Sequence, residues 1–162
     1  MKRLAELGYV ALSEKPVLRC REIRPAQLDG PLTLDPQQQT AFAGLCAQME
    51  EANPGTALLY GVTGSGKTSV YIKLIEKCIA NGKQAILLVP EIALTPQLLG
   101  LMAAWFSDQV AVLHSSLPAG ERYDQWKRIR SGDAKVIIGT RSAVFAPCKA
   151  LGLIILDEEQ EH

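Results

Sequence analysis

The sequence predicts an α/β fold, a mostly parallel sheet with helices on both faces. Three observations predict it. From about residue 33 onward, short apolar runs alternate with segments whose apolar residues recur at helical spacing. The loop Gly61-Val62-Thr63-Gly64-Ser65-Gly66-Lys67-Thr68 lies between one such run and one such segment. The last apolar run ends on the acidic pair Asp157-Glu158. Buried strands alternating with amphipathic helices make βαβ units, which cover a parallel sheet on both sides.

The elements follow in order. Leu4-Ala5-Glu6-Leu7 before Gly8 reads as the last turn of a helix stopped by glycine. Residues 9–12 and 17–21 read as two short strands, and Pro25, Gly30 and Pro31 mark a linker. Asp35-Pro36 supplies an N-cap and a proline at the first helical position, followed by Phe42, Leu45, Cys46 and Met49 on one face. Asn53-Pro54-Gly55 stops that helix, and residues 57–60 read as a buried strand. The next helix shows Tyr71, Leu74, Ile75, Cys78 and Ile79 on one face and stops at Asn81-Gly82. Residues 85–89 are strand-like. Thr95-Pro96 opens a helix carrying Leu98, Leu101, Met102, Trp105 and Phe106. Residues 110–113 form a strand, 118–130 a helix with Tyr123, Trp126 and Ile129, and 135–138 and 153–156 two further buried strands.

Composition fits one folded domain. Of 162 residues, 48% are hydrophobic and 21% charged, which excludes a disordered or collagen-like chain. Lys+Arg and Asp+Glu each total 17, so global charge points to neither a nucleic acid nor a membrane, though a local patch can sit on a neutral chain. No apolar run approaches the ~18 residues of a membrane helix, and Met1-Lys2-Arg3-Leu4 leads into no secretory h-region. Cys20, Cys46, Cys78 and Cys148 lack C-x-x-C spacing. They read as small hydrophobes in a reducing, cytoplasmic compartment, with no zinc site.

Residues 61–68 spell G-x-x-x-x-G-K-T, the Walker A loop, in its strand-to-helix setting. Glycines let the backbone N–H groups close on phosphate oxygens, and the helix N-terminus adds partial positive charge. Lys67 is placed to neutralise the outer phosphates of ATP, and the Thr68 hydroxyl to ligate Mg²⁺. Leu153-Ile154-Ile155-Leu156-Asp157-Glu158 has the Walker B form, with Asp157 for the metal shell and Glu158 to polarise an attacking water. Glu158-Glu159-Gln160-Glu161-His162 lacks the first histidine of an inverted zinc-protease motif, so His162 reads as solvent-facing.

Together with the Walker A loop, the D-E-x-x box Asp157-Glu158-Glu159-Gln160 resembles the first motor lobe of superfamily-two helicases and translocases. Leu34-Asp35-Pro36-Gln37-Gln38, the run from Pro90 to Gln97, Leu113-His114-Ser115 with Glu121-Arg122 and Trp126, and the run from Ile138 to Phe145 sharpen the match. In that order they are similar to the primosomal protein N′ (PriA) family of DNA helicases of bacterial replication restart. Many of those relatives carry Asp-Glu-Glu-His where this chain has Gln160, which implies altered coupling rather than lost hydrolysis.

The resemblance implies a RecA-like P-loop lobe over residues 31–162, preceded over residues 1–30 by a short winged-helix remnant and linker. It implies ATP and Mg²⁺ as cofactors, Lys67 and Glu158 as catalytic residues, Thr68 and Asp157 at the metal, and the 61–68 loop as the phosphate site. Gln38 would contact adenine or brace the loop. Pro90, Thr95, Thr140, Arg141 and Ser142 would line a single-stranded DNA track, where hydroxyls and one Arg suit phosphate contacts. Thr95-Pro96 is also simply a helix start, His114 also reads as a strand-end residue satisfying a local hydrogen bond, and Trp105 and Trp126 read as core rather than base-stacking residues. Implied partners are single-stranded and forked DNA, other primosome proteins and single-strand-binding protein, in the bacterial cytoplasm at the nucleoid, with no membrane. Such a motor also needs a second lobe with an arginine finger and a cysteine-rich zinc region. Neither lies in this span, so the chain by itself is expected to bind Mg·ATP weakly, hydrolyse it slowly and not unwind DNA. The alternatives are another superfamily-two translocase, a P-loop nucleotide kinase, or a binding module with a relic loop.

Overall fold

The computed structural model describes residues 3, 9, 19–20, 22–28, 30–51, 55–62 and 64–157. The helix end expected at residues 4–7 and most of the strands expected at 9–12 and 17–21 lie outside the described residues, as do Asn53-Pro54, Thr63 and 158–162.

Among the described residues, four strands form one sheet: β1 (Gln84–Leu88), β2 (Val110–Leu113), β3 (Val136–Gly139) and β4 (Leu151–Leu156). Their order is β2-β3-β1-β4, and every pairing is parallel. β1 sits centrally, with Ala85 opposite Val136 on one side and Leu153 on the other. The helices among the described residues from 30 onward are α1 (Pro36–Glu50), α2 (Lys67–Ala80), α3 (Pro96–Phe106) and α4 (Ala119–Ser131).

The strands alternate sides, and each side has its own core. Ala85, Leu87, Val110, Val112, Val136 and Ile138 pack with Tyr71, Ile75 and Cys78 of α2 and Met102 and Phe106 of α3. Ile86, Ala111, Leu113 and Ile137 pack on the opposite side with Ile129 of α4, Ala134 and Ala143. Helices therefore cover both faces, as the sequence predicts. Gln84 is buried at the start of β1, and its amide is fully used. Nε2 donates to the Ile129 and Ala134 carbonyls, and Oε1 accepts from the Lys149 and Ala150 N–H groups. A buried amide satisfied in this way ties together three chain segments on the α4 side.

The segment before α1 is extended and packed. Ala26 N–H donates to the Gly100 carbonyl of α3 at 2.8 Å, and a side chain at Gly100 would meet the Arg24 carbonyl at 3.1 Å. Arg19 N–H donates to the buried Asp124 carboxylate of α4. Ile23 and Leu32 lie against the core.

Three expectations are corrected. Residues 57–60 are not a strand: they have no ladder partner among the described residues, and Leu58 and Tyr60 are 88% and 90% exposed. A groove of about 1000 Å³ separates this segment from β4, and without hydrogen-bonding neighbours an apolar run cannot hold strand pairing. β4 forms as expected but is an edge rather than a buried strand, with Leu151, Ile154 and Leu156 each at least 40% exposed. Tyr123 is exposed rather than on the packed face of α4, with Lys127 Nζ 4.6 Å from its ring centre. Asp124, Gln125 and Ile129 face inward instead, because Asp124 takes the Arg19 N–H and Gln125 the Arg128 guanidinium. Trp105 and Trp126 are half-buried, under Lys73 and Arg130 respectively. Among the described residues, no helix is long and apolar enough to cross a membrane.

Candidate functional site

The Gly-rich loop turns through Ser65 N–H to the Val62 carbonyl at 3.1 Å and through two left-handed glycines, Gly64 (φ 81°) and Gly66 (φ 76°). Only glycine adopts that backbone without strain. Gly66 is the N-cap of α2 and supplies no side-chain cap, so the first turn presents its N–H groups and its partial positive charge to whatever lies in front of it. Lys67 Nζ donates to the Gly61 and Val62 carbonyls at 2.7 and 3.2 Å. The ammonium therefore rests on the loop's own oxygens, on the concave side where an anion would compete for it.

Gln38 links α1 to this loop. Asp35 caps α1 by accepting from Gln37 and Gln38 N–H, and Gln38 Oε1 returns an acceptor to Asp35 N–H, a complete capping box. The other end of the same amide donates to the Ser65 carbonyl at 3.1 Å. A Cβ at Gly66 would meet Gln38 Nε2 at 2.3 Å, so the loop and the amide are fitted to each other. Both ends of the amide are engaged in bracing. Thr68 is half-buried and lines a cavity of about 590 Å³ with Ser69, Ile72, Leu101, Trp105 and the segment from Leu28 to Thr33.

Asp157 follows β4 directly. Its N–H continues the ladder to the Leu88 carbonyl at 2.9 Å, and its Oδ1 accepts from the Tyr71 hydroxyl at 3.0 Å. Tyr71 stands four residues after Lys67 on α2, so the contact ties Asp157 to the helix that opens on the phosphate-loop lysine and threonine. The structure thus joins Gln38 to Ser65 of the loop, and Asp157 to Tyr71 of the helix that follows the loop. Glu158 and Thr63 lie outside the described residues. Sequence reading assigned Tyr71 to the core face of its helix and missed this contact, for which the sequence offers no local signal.

The remaining candidates lie at the C-terminal ends of the strands, where ligands of open α/β sheets gather. Pro90 precedes a 3-10 turn (Glu91–Ala93) after β1. Thr95 is the N-cap of α3, its hydroxyl accepting from Leu98 N–H at 3.3 Å. Ser115, after β2, donates to the Glu91 carboxylate at 3.1 Å, which joins two of these loops. Thr140, after β3, is buried, whereas Arg141 and Ser142 are exposed. Close packing at this end needs Gly139, because a Cβ there would lie 2.0 Å from the Leu113 carbonyl.

The cysteines form no disulfide among the described residues. Burial pushes the thiols of Cys46, Cys78 and Cys148 up from their ordinary range, away from reactive thiolate chemistry.

Comparison with known proteins agrees with this geometry. Residues 35–162 match the family described as DEAD/DEAH box helicase. The chain is 48% identical over 131 residues to the replication restart protein PriA of Bacillus subtilis (strain 168), covering 81% of this chain and 16% of that protein. It is 41% identical over 161 residues to PriA of Synechocystis sp. (strain ATCC 27184 / PCC 6803 / Kazusa), covering 99% of this chain and 19% of that one. PriA of Helicobacter pylori (strain ATCC 700392 / 26695) is 36% identical over 157 residues, 97% of this chain and 25% of its own length. The chain therefore spans a quarter or less of these relatives. A solved structure of RecG bound to a three-way DNA junction matches with a TM-score of 0.65 at 22% identity, over 78% of this chain and 21% of that one. That likeness shows the fold, a RecA-like α/β domain. With the family match running from the capping box of α1 through Asp157, the chain belongs to the DEAD/DEAH box helicase family.

Proposed function

We propose that this chain is the ATP-binding lobe of a DNA helicase of replication restart, coupling Mg·ATP hydrolysis to movement along single-stranded DNA. The observation that carries the reading is a helix, α2, that starts on an uncapped, glycine-turned N-terminus and holds the Asp157 carboxylate through its Tyr71. In this reading the N–H groups of 61–68 and Lys67 bind the phosphates, and Lys67 exchanges its loop carbonyls for them. Thr68 and Asp157 would hold Mg²⁺. The donor set fits, because Mg²⁺ keeps most of its shell as water and phosphate oxygens and asks the protein for one or two oxygens. Mg²⁺ there would supply positive charge that offsets the charge of the phosphates. Glu158 orients the attacking water, and Gln38 keeps the loop in register.

Pro90, Thr95, Arg141 and Ser142, with Thr140 behind them, are assigned to the DNA track; all sit at one end of the sheet. The similarity to PriA proteins supports primosome assembly at stalled forks as the setting, with forked DNA, primosome proteins and single-strand-binding protein as partners, in the bacterial cytoplasm. Residues 31–162 are assigned to the lobe, and residues 1–30 to a winged-helix tail and linker.

Titration with a fluorescent ATP analogue and, separately, with labelled single-stranded DNA tests the reading. Both should bind, and Lys67→Ala should weaken the nucleotide at least ~10-fold, the loss of one charge-assisted contact to phosphate. ATP binding without DNA binding would favour a kinase. DNA binding indifferent to ATP would leave the loop a relic.

A further inference from the structure

We propose that the Tyr71 hydroxyl is a positioning group for the metal carboxylate: it holds one oxygen of Asp157 and leaves the other for the metal. The inference rests on the nucleotide reading above and adds a residue to it. Asp157 is the first residue after β4, and a carboxylate there has its backbone fixed by the ladder bond to Leu88 but its side-chain torsions free. The Tyr71 hydroxyl removes that freedom by donating to Oδ1 at 3.0 Å. Tyr71 is itself immobile. It is 7% exposed, and its ring packs in the cluster of α2, α3 and the sheet. A rigid phenol is therefore aimed from a buried base at a half-exposed carboxylate.

The placement along α2 matters. Lys67 and Tyr71 are four residues apart and share a face, with Thr68 beside Lys67. One helix thus carries the phosphate lysine, the metal hydroxyl and the brace of the metal carboxylate, and any shift of α2 moves all three together. Groups that orient a metal ligand through a hydrogen bond typically change metal affinity or activity by ~10–100-fold when removed. Tyr71 is a positioning residue: its hydroxyl touches Asp157, not the phosphates.

The test uses the 162-residue chain and its Tyr71→Phe variant, which keeps the ring and removes only the hydroxyl. Binding of a fluorescent ATP analogue is measured against Mg²⁺ concentration, and Mn²⁺ binding to the nucleotide complex by its spin-resonance signal. The expected result is a rise of ~10-fold in the Mg²⁺ needed for half-saturation, with nucleotide binding in chelator unchanged. In an Asp157→Ala background, the same Tyr71→Phe change should have no further effect on metal dependence. A merely structural tyrosine would lower the melting temperature and leave the metal titration where it was, which would overturn the proposal. So would an equal effect of Tyr71→Phe with and without Asp157. If the unmodified chain binds no nucleotide at any Mg²⁺ concentration, the nucleotide reading fails first and the inference falls with it.

Discussion

Gly66 shows how much one residue can decide. It combines a left-handed φ of 76° with a position where a Cβ would lie 2.3 Å from the Gln38 amide nitrogen. Gly66→Ala should therefore act twice. The backbone strain should lower stability by about 1–2 kcal/mol, and the displaced amide should release its bond to the Ser65 carbonyl. Urea unfolding reads the first effect, and titration with the fluorescent nucleotide reads the second as weakened binding. Unchanged midpoint and affinity would show that the loop adopts another shape. The glycine spacing was legible in sequence because the motif's chemistry is local: all its atoms lie within eight residues. The Tyr71–Asp157 contact was not, because it joins residues 86 apart, and no local pattern carries that information.

Among elements, the helix starts were the most legible. Asp35-Pro36 and Thr95-Pro96 open α1 and α3 as expected, since an oxygen at the cap and a proline at the first position are local requirements of any helix. Asp35→Ala should destabilise the chain by about 1 kcal/mol, seen as a lower urea midpoint at unchanged slope. It should also free Gln38 Oε1 from Asp35 N–H and so loosen the brace on the loop. An unchanged midpoint would mean that α1 is held by packing alone. Its half-buried Leu45, Cys46 and Met49 argue against that. Strands were legible where a ladder partner exists; β2, with β3 alone beside it, keeps its expected bounds. β1 and β3 are fully flanked and appear within one residue of their expected bounds. Residues 57–60 carry an equally apolar pattern and form no strand, because a strand is a property of a pair and its partner is missing among the described residues.

At the scale of the whole molecule, the sheet's order leaves β4 at one end, and that end is apolar. Leu151-Gly152-Leu153-Ile154-Ile155-Leu156 contains no charge and no proline, the two devices that usually blunt an edge. Leu58 stands exposed across the groove from it. The chain's formal charge is zero at pH 7 and its isoelectric point about 6.7, so no net repulsion keeps two copies apart near neutrality. Strand-edge hydrogen bonding between copies, with apolar side chains closing over it, follows as the expected behaviour of the purified 162-residue chain. Light scattering on a sizing column should show concentration-dependent association at roughly 100 μM, strongest near pH 7 and weaker as pH moves away from the isoelectric point. Ile154 is 40% exposed, so a lysine there can reach solvent without emptying the core. Ile154→Lys should shift the distribution to monomer while leaving nucleotide binding intact, because Ile154 lies outside the loop and Asp157. A chain that stays monomeric at neutral pH would mean that residues beyond those described cover the edge. Association unaffected by Ile154→Lys would place the contact elsewhere on the surface.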